Sequence, residues 1–317
     1  MTKVLVTARS FAKSPEARAV LEQAGCEVIF NPYDRPLTED ELVELIKGMD
    51  ALVAGMDAVT AKVIAAGLPT LKIIAKHGVG YNTIDVAAAA AYGIPVTITP
   101  GANNISVAEL AIGLMLAVAR HIPQMDGIVR RGGWSRMTGS ELYGKVLGII
   151  GMGSIGCEVA KRAHAFGMKI IAYDIRPRQD MIENYGVTYL PMADCLAQAD
   201  FLSLHAPALP ETIGMINKDT LKTMKRTAFL INTARGDLIV EEDLYDALKN
   251  GVIAGAGLDT FVHEPIRDAR LFTLDNVVLT PHAGATTHEA VTRMGVMAAE
   301  EVVRVLSGQP PQNPVKI

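Results

Sequence analysis

The segment Gly151-Met-Gly-Ser-Ile-Gly156 constrains this fold more than any other, because it stands directly behind the apolar run Val146–Ile150 and opens the helical stretch Ser154–Phe166. One glycine in such a turn permits the reversal from strand to helix, a second lets backbone approach a pyrophosphate, and a third lets the helix pack on the strand, with phosphates at the helix N-terminus. The next strand, Ile170–Tyr173, ends in Asp174, 18 residues beyond Gly156. A carboxylate there accepts both ribose hydroxyls of an adenosine half and opposes a 2′-phosphate. NAD is therefore expected over NADP, with Arg176 and Arg178 just beyond as the residues that oppose this choice. The alternative is a set of glycines that serve a tight turn and nothing else.

The rest of the chain repeats the same alternation. Strands are expected at Lys3–Ala8, Glu27–Asn31, Ala51–Ala54, Lys72–Lys76 and Val96–Ile98, then again at Val146–Ile150, Lys169–Tyr173, Phe201–His205, Ala228–Asn232, Ile253–Leu258 and Val277–Thr280, with amphipathic segments between them. This pattern gives an α/β class with two doubly wound parallel-sheet domains, a length of 317 residues being about twice that of one domain. The run Asn104–Ala119 is apolar nearly all round and is expected to be buried, between domains or subunits. The stretch Arg130–Tyr143 holds the only tryptophan and reads as an arm or a surface loop. His288–Leu306 reads as one long amphipathic helix that could return to the first domain.

Charge and apolar patterning exclude several classes. Lys+Arg 30 against Asp+Glu 34 gives a net charge of −4 without a basic block, so a nucleic-acid partner is not expected. No apolar run reaches the ~18 residues of a membrane span and the N-terminus lacks a signal core, so the expected place is the cytoplasm, away from membranes. Cys26, Cys157 and Cys195 match no metal spacing and read as buried thiols; no metal is expected.

Polar residues then recur at strand ends, where open α/β sheets hold their ligands. Arg235, Asp259, Glu264 and His282 each follow a strand of the second half. Hydride transfer from a carbinol needs a base for the hydroxyl proton, which histidine supplies near neutral pH, and a cation to hold a carboxylate, which a guanidinium fork does well. A carboxylate beside the histidine favours its charged form and fixes its tautomer. His121, His164 and His288 lie on helical stretches without partner motifs, His205 ends a strand beside the cofactor path, and Asp237 reads as a supporting group or a cap for Leu238–Leu248.

At His77–Gly80, Ser106–Leu110, Gly151–Gly156, Ile231–Asp237, Gly257–Pro265 and Thr280–Ala285, the sequence resembles the D-isomer-specific 2-hydroxyacid dehydrogenases, and among them the phosphoglycerate dehydrogenases. The resemblance implies a Rossmann nucleotide domain over 100–286 and a flavodoxin-like substrate domain made of 1–99 and 287–317. It implies NAD as cofactor, His282 as acid/base, Glu264 as its partner and Arg235 as substrate anchor, with Val79 and Gly80 lending N–H groups to the substrate carboxylate. Gly151, Gly153, Ser154, Ile155, Gly156, Asp174, Ala206, Pro207, Thr233, Ala234, Asp259, His282 and Gly284 would line the dinucleotide. Homodimers formed through the nucleotide domain are usual in the family.

One departure concerns Lys76, which stands where some phosphoglycerate enzymes carry a phosphate-binding arginine; it is expected to offer a cation to a phosphate. The sequence runs to Ile317, so a short form without a serine-sensing domain is expected. Three readings of function remain beside 3-phosphoglycerate oxidation: reduction of hydroxypyruvate or glyoxylate, oxidation of another anion such as phosphite, and NAD binding without turnover in a corepressor-like protein. Glu264 disfavours a formate enzyme, where the family carries glutamine.

Overall fold

Apolar runs of four or five residues, rich in Val, Ile and Leu, are buried on both faces and so form parallel strands covered by helices. The computed structural model describes residues 1–267 and 269–316, which divide into one unit of Met1–Asn103 with Thr286–Ile317 and a second of Asn104–Ala285. Ile317 lies outside the described residues. The division falls after Asn103 rather than at residue 99, because the loop stays with the first unit: Ala102 N donates to Thr99 O, and Arg293 Nε donates to Ala102 O at 2.8 Å.

The first unit holds β1 (Thr2–Val6), β2 (Cys26–Phe30), β3 (Ala51–Ala54), β4 (Ile73–Lys76) and β5 (Val96–Thr97), all parallel in the order β2-β1-β3-β4-β5. Leu5, Leu52 and Ile74 are fully buried on one face, each worth about 1.5–3 kcal/mol of burial. Val4, Val6 and Val53 fill the other with Phe11 and the helix His288–Leu306. Thr287 caps that helix by accepting from Ala290 N. A Cβ on Gly295 would lie 2.7 Å from Ala17 Cβ, so this glycine is what lets the helix close on Pro15–Gln23. Beyond it, Pro314 forms an antiparallel bridge with Thr97, Val315 N donates to Val96 O at 2.8 Å, and Ile98 N donates to Asn313 O at 3.1 Å. The two-residue edge β5 is thereby covered.

The second unit holds β6 (Val146–Ile150), β7 (Lys169–Tyr173), β8 (Thr188–Tyr189), β9 (Phe201–Leu204), β10 (Phe229–Asn232), β11 (Gly255–Leu258) and β12 (Val277–Leu279). They run parallel in the order β12-β11-β10-β9-β6-β7-β8. The order reverses between β6 and β9, which places a ligand crevice at the C-terminal ends of those strands. The helix Asn104–Ala119 packs on β10, β11 and the helix Ser154–Ala165, with Ala108, Ala111, Leu114 and Met115 in the core. It is a core helix of this unit, so its all-round apolar character needs no interface to account for it. Gly257 allows the contact, since a Cβ there would stand 2.9 Å from Leu114 Cβ. Among the described residues no single helix is long and apolar enough to cross a membrane, and no group of His, Cys, Asp and Glu is placed to hold a metal. All three cysteines are free and buried.

Candidate active site

The glycine turn separates what the protein needs from what a ligand needs. Gly151 has φ +95°, and a Cβ there would meet Ala206 N at 2.7 Å; a Cβ on Gly156 would meet Gly151 O at 2.2 Å. Both positions are glycine for internal reasons. Gly153 has nothing within 4 Å of its would-be Cβ, and it caps the helix Ser154–Ala165 without any side-chain hydrogen bond. Open space before uncapped helical N–H groups is the cradle a pyrophosphate requires. Asp174 follows β7, its Oδ2 accepting from Met152 N at 2.6 Å and its Oδ1 from Arg176 N at 2.8 Å. Arg178 is engaged by Asp180 through Nε at 3.0 Å and NH2 at 2.8 Å.

Extending the register one residue past the strand ends puts His205, Thr233, Asp259 and Thr280 in one row across β9 to β12. His205 Nε2 lies 2.8 Å from Ser203 Oγ, and burial pushes its pKa down to about 3, so the ring is neutral. Its Nδ1, with Thr233 Oγ1 and Thr260 Oγ1, is buried and unpartnered, as expected of polar atoms lining a cofactor path.

Asp259 is 1% exposed and organises the next loop. Its Oδ1 accepts from Thr280 Oγ1 at 2.6 Å and Ala283 N at 2.7 Å, its Oδ2 from Gly284 N at 2.8 Å, and its carbonyl from His282 N at 2.9 Å. These bonds hold His282 at φ +51°, a left-handed conformation that costs a non-glycine residue roughly 1–2 kcal/mol. The family resemblance implies a cofactor contact for Asp259; in the structure its carboxylate is already bonded three times to the histidine loop.

His282 Nδ1 lies 2.7 Å from Glu264 Oε2, while Glu264 Oε1 accepts from Phe261 N at 3.1 Å. Burial alone would raise the Glu264 carboxyl, but His282, the Phe261 amide and the charge of Arg235 together hold it below its ordinary value. The imidazole Nε2 is left for chemistry. Arg235 is buried enough that desolvation lowers its pKa, while the charges of Glu264 and Asp237 oppose the loss. Asn232, fully buried, shapes its turn: Nδ2 donates to Arg235 O at 2.8 Å and Oδ1 accepts from Ala234 N at 3.0 Å. A Cβ on Gly236 would fall 2.0 Å from Phe261 C, so the Arg235 turn is pressed against the strand end that leads to Glu264. Asp237 sits in a short 3-10 turn, Gly236–Leu238, and the following helix starts at Glu241 with Val240 as its N-cap, so Asp237 is no helix cap.

The second unit therefore gathers Arg235, Glu264 and His282 with the whole expected dinucleotide set. Lys76, Val79 and Gly80 belong to the first. Lys76 does not present its cation as expected: it is 4% exposed and its Nζ donates to Gly55 O. His77 beside it is also buried, edge-on to Phe11, and burial takes its pKa down to about 4. Gly78, at φ +135°, is fixed by Thr99, whose N donates to Gly78 O at 3.0 Å and whose Oγ1 accepts from Gly78 N at 3.1 Å. Asn232, Thr280 and Thr99 had no role in the sequence reading, because a buried polar residue at a strand end gives no sign of its partner.

Comparison with known proteins agrees with this geometry. Residues 112–284 match the family model described as "D-isomer specific 2-hydroxyacid dehydrogenase, NAD binding domain". The chain is 47% identical over 298 residues to a hydroxypyruvate reductase of Thermotoga maritima (90% of this chain, 96% of that one). It is 44% identical over 308 residues to a glyoxylate reductase of Korarchaeum cryptofilum (92% of each). It is also 44% identical over 321 residues to a D-3-phosphoglycerate dehydrogenase of Methanocaldococcus jannaschii, spanning all of this chain and 60% of that protein. A crystal structure of D-lactate dehydrogenase with NAD+ from Lactobacillus jensenii superposes with a TM-score of 0.80 at 29% identity, covering 100% of both chains.

The Glu264 carboxyl predicts a pH signature. Its folded pKa lies below the unfolded value of about 4.3, so its contribution to stability is present above that value and is lost as pH falls through the folded pKa. The melting-temperature gap between the native protein and Glu264→Gln should be full above about pH 5 and close below about pH 4. A gap that is constant from pH 3 to pH 7 would show that the charge contributes nothing.

Proposed function

Because the chain belongs to the D-isomer-specific 2-hydroxyacid dehydrogenase family, we propose that it moves hydride between NAD and C2 of a D-2-hydroxy acid or its 2-oxo acid. The 2.7 Å contact between His282 and Glu264 carries this reading. NAD, when bound, supplies the hydride acceptor and, once reduced, the donor. His282 Nε2 takes the C2 hydroxyl proton in oxidation and returns it to the oxygen in reduction, while Glu264 stabilises the imidazolium. Arg235 holds the substrate carboxylate with its fork, and the Val79 and Gly80 amides are proposed to bind a carboxylate as well. Gly153, Ser154 and Ile155 would meet the pyrophosphate and Asp174 the ribose. Ala206, Pro207, Thr233, Ala234, Asp259 and Gly284 would follow along the dinucleotide. Replacing His282 with Asn should lower kcat by about 10²–10⁴-fold while NADH still binds. Near-native turnover in that variant would remove His282 from the mechanism.

The relatives divide between phosphoglycerate oxidation and reduction of small oxo acids, and the surroundings of Lys76 favour the second. An ammonium turned inward onto Gly55 O meets an arriving phosphate poorly. We therefore expect hydroxypyruvate or glyoxylate to be reduced with higher kcat/KM than 3-phosphohydroxypyruvate, and Lys76→Met to leave the ratio between hydroxypyruvate and its phosphate ester within about twofold. A preference for the phosphorylated substrate that falls roughly 10–150-fold in Lys76→Met, the value of one charged hydrogen bond, would reverse the assignment.

The arm supports a homodimer. Residues 131–139 are exposed throughout, Trp134 to 80%, and Ile122, Val129 and Tyr143 beside the same segment are exposed too. Apolar side chains concentrated this way favour cover by a second copy. Sedimentation should give a dimer whose dissociation constant rises in Trp134→Ser; a native monomer at micromolar concentration would sink the idea.

A further inference from the structure

We infer that Glu301 is a positioning residue for the loop Gly78–Gly80, acting through the C-terminal segment 312–315. The inference rests on the reading above in which that loop binds the substrate carboxylate. Glu301 lies on the inner face of the helix His288–Leu306 and is 3% exposed. Its Oε2 accepts from Gln312 N at 3.0 Å, and its Oε1 from Asn313 N and Asn313 Nδ2 at 2.9 Å each, with a longer bond from Gln312 N at 3.2 Å. A carboxylate taken out of water and satisfied by N–H donors of one short segment fixes that segment in place, because releasing it would leave a buried charge without donors.

What the segment does next gives the carboxylate its reach. Asn313 O, set by the bonds to its own N–H and side chain, accepts from Ile98 N, and Val315 N donates to Val96 O. These two bonds flank the two-residue β5 on its outer edge, a strand too short to hold its own register. Thr99 follows Ile98 directly, is 1% exposed, and makes the reciprocal pair of bonds with Gly78. Gly78 needs them, since φ +135° is a conformation the following amides inherit and side-chain packing cannot supply at a glycine. The path Glu301, Asn313, Ile98, Thr99, Gly78 is thus a continuous line of hydrogen bonds and adjacent residues, all within the first unit.

The test uses the full chain, with hydroxypyruvate and NADH as probes. Glu301→Gln places an amide N–H opposite a donor and should raise the KM for hydroxypyruvate roughly 3–10-fold, with kcat and the KM for NADH changed less than about twofold. Thr99→Val, which removes the side-chain acceptor of Gly78 N and leaves it only Lys76 O, should raise the same KM at least as far. The double variant should show less than the product of the two effects, as residues on one line of contacts do. If Thr99→Val alone raises KM and Glu301→Gln lowers only the melting temperature, the positioning role is overturned while the loop assignment stands. If Thr99→Val leaves KM unchanged, the loop assignment itself fails, and the role of Glu301 with it. A joint fall of kcat and NADH affinity in Glu301→Gln also overturns the proposal, marking a general loss of fold. Should Glu301→Gln not fold, Asn313→Ala, which removes a single bond, is judged by the same criteria.

Discussion

The buried carboxylate of Asp259 is the constraint on which the chemistry of this molecule turns. A charge at 1% exposure survives only where donors surround it, and here the three donors to the carboxylate, Thr280 Oγ1 and the backbone N–H groups of Ala283 and Gly284, all come from the loop that carries His282. The left-handed backbone of His282 is tolerated because the neighbouring amides satisfy that charge. The same strand, β11, carries the chain on to Glu264, so one strand end sets both the loop that holds the imidazole and the origin of its partner. Arg235 joins them through packing and charge: Gly236 allows its turn to press against Phe261, and its guanidinium and the Glu264 carboxylate each favour the other's charged form.

The three turn glycines illustrate a separation that composition cannot make. Gly151 and Gly156 face backbone at distances no Cβ tolerates, and they would be glycine in any protein with this strand, turn and helix. Gly153 faces nothing, so no contact within the protein requires its missing side chain. Orphaned atoms on His205, Thr233 and Thr260 repeat that message along the row of strand ends. Open space at Gly153 and unpaired polar atoms thus fall on the same edge of one sheet, the edge at which open α/β sheets bind their ligands.

Much of this was legible in advance. Val146–Ile150, Lys169–Tyr173, Ala51–Ala54 and His288–Leu306 have the expected bounds, since short apolar runs and a long amphipathic stripe are local signals. The two-residue β8 was missed because it is too short to show a period. The burial of the helix Asn104–Ala119 is legible, but its neighbours β10, β11 and the helix Ser154–Ala165 are not; periodicity reports that a face is covered and never what covers it. The direction of the Lys76 side chain is illegible for a related reason. Charge is written in the sequence, whereas the direction of a flexible four-carbon stem depends on a carbonyl 21 residues away. Glu301 and Thr99 were invisible, as each is defined by a partner contributed from elsewhere in the fold.

The first unit is interrupted in sequence: Phe11, Ala17 and β4 wait for Ala298, Ala299 and Val302 to complete their side of the core. On a ribosome the second unit, continuous from Asn104 to Ala285, has all of its own residues before the last helix emerges. The first unit, although begun earliest, exposes one apolar face of its sheet for the whole of that interval. Its assembly is a late, long-range closure, slow by the entropy of joining distant segments and vulnerable meanwhile to association through that bare face. The part of the chain synthesised first is thus the part that finishes folding last.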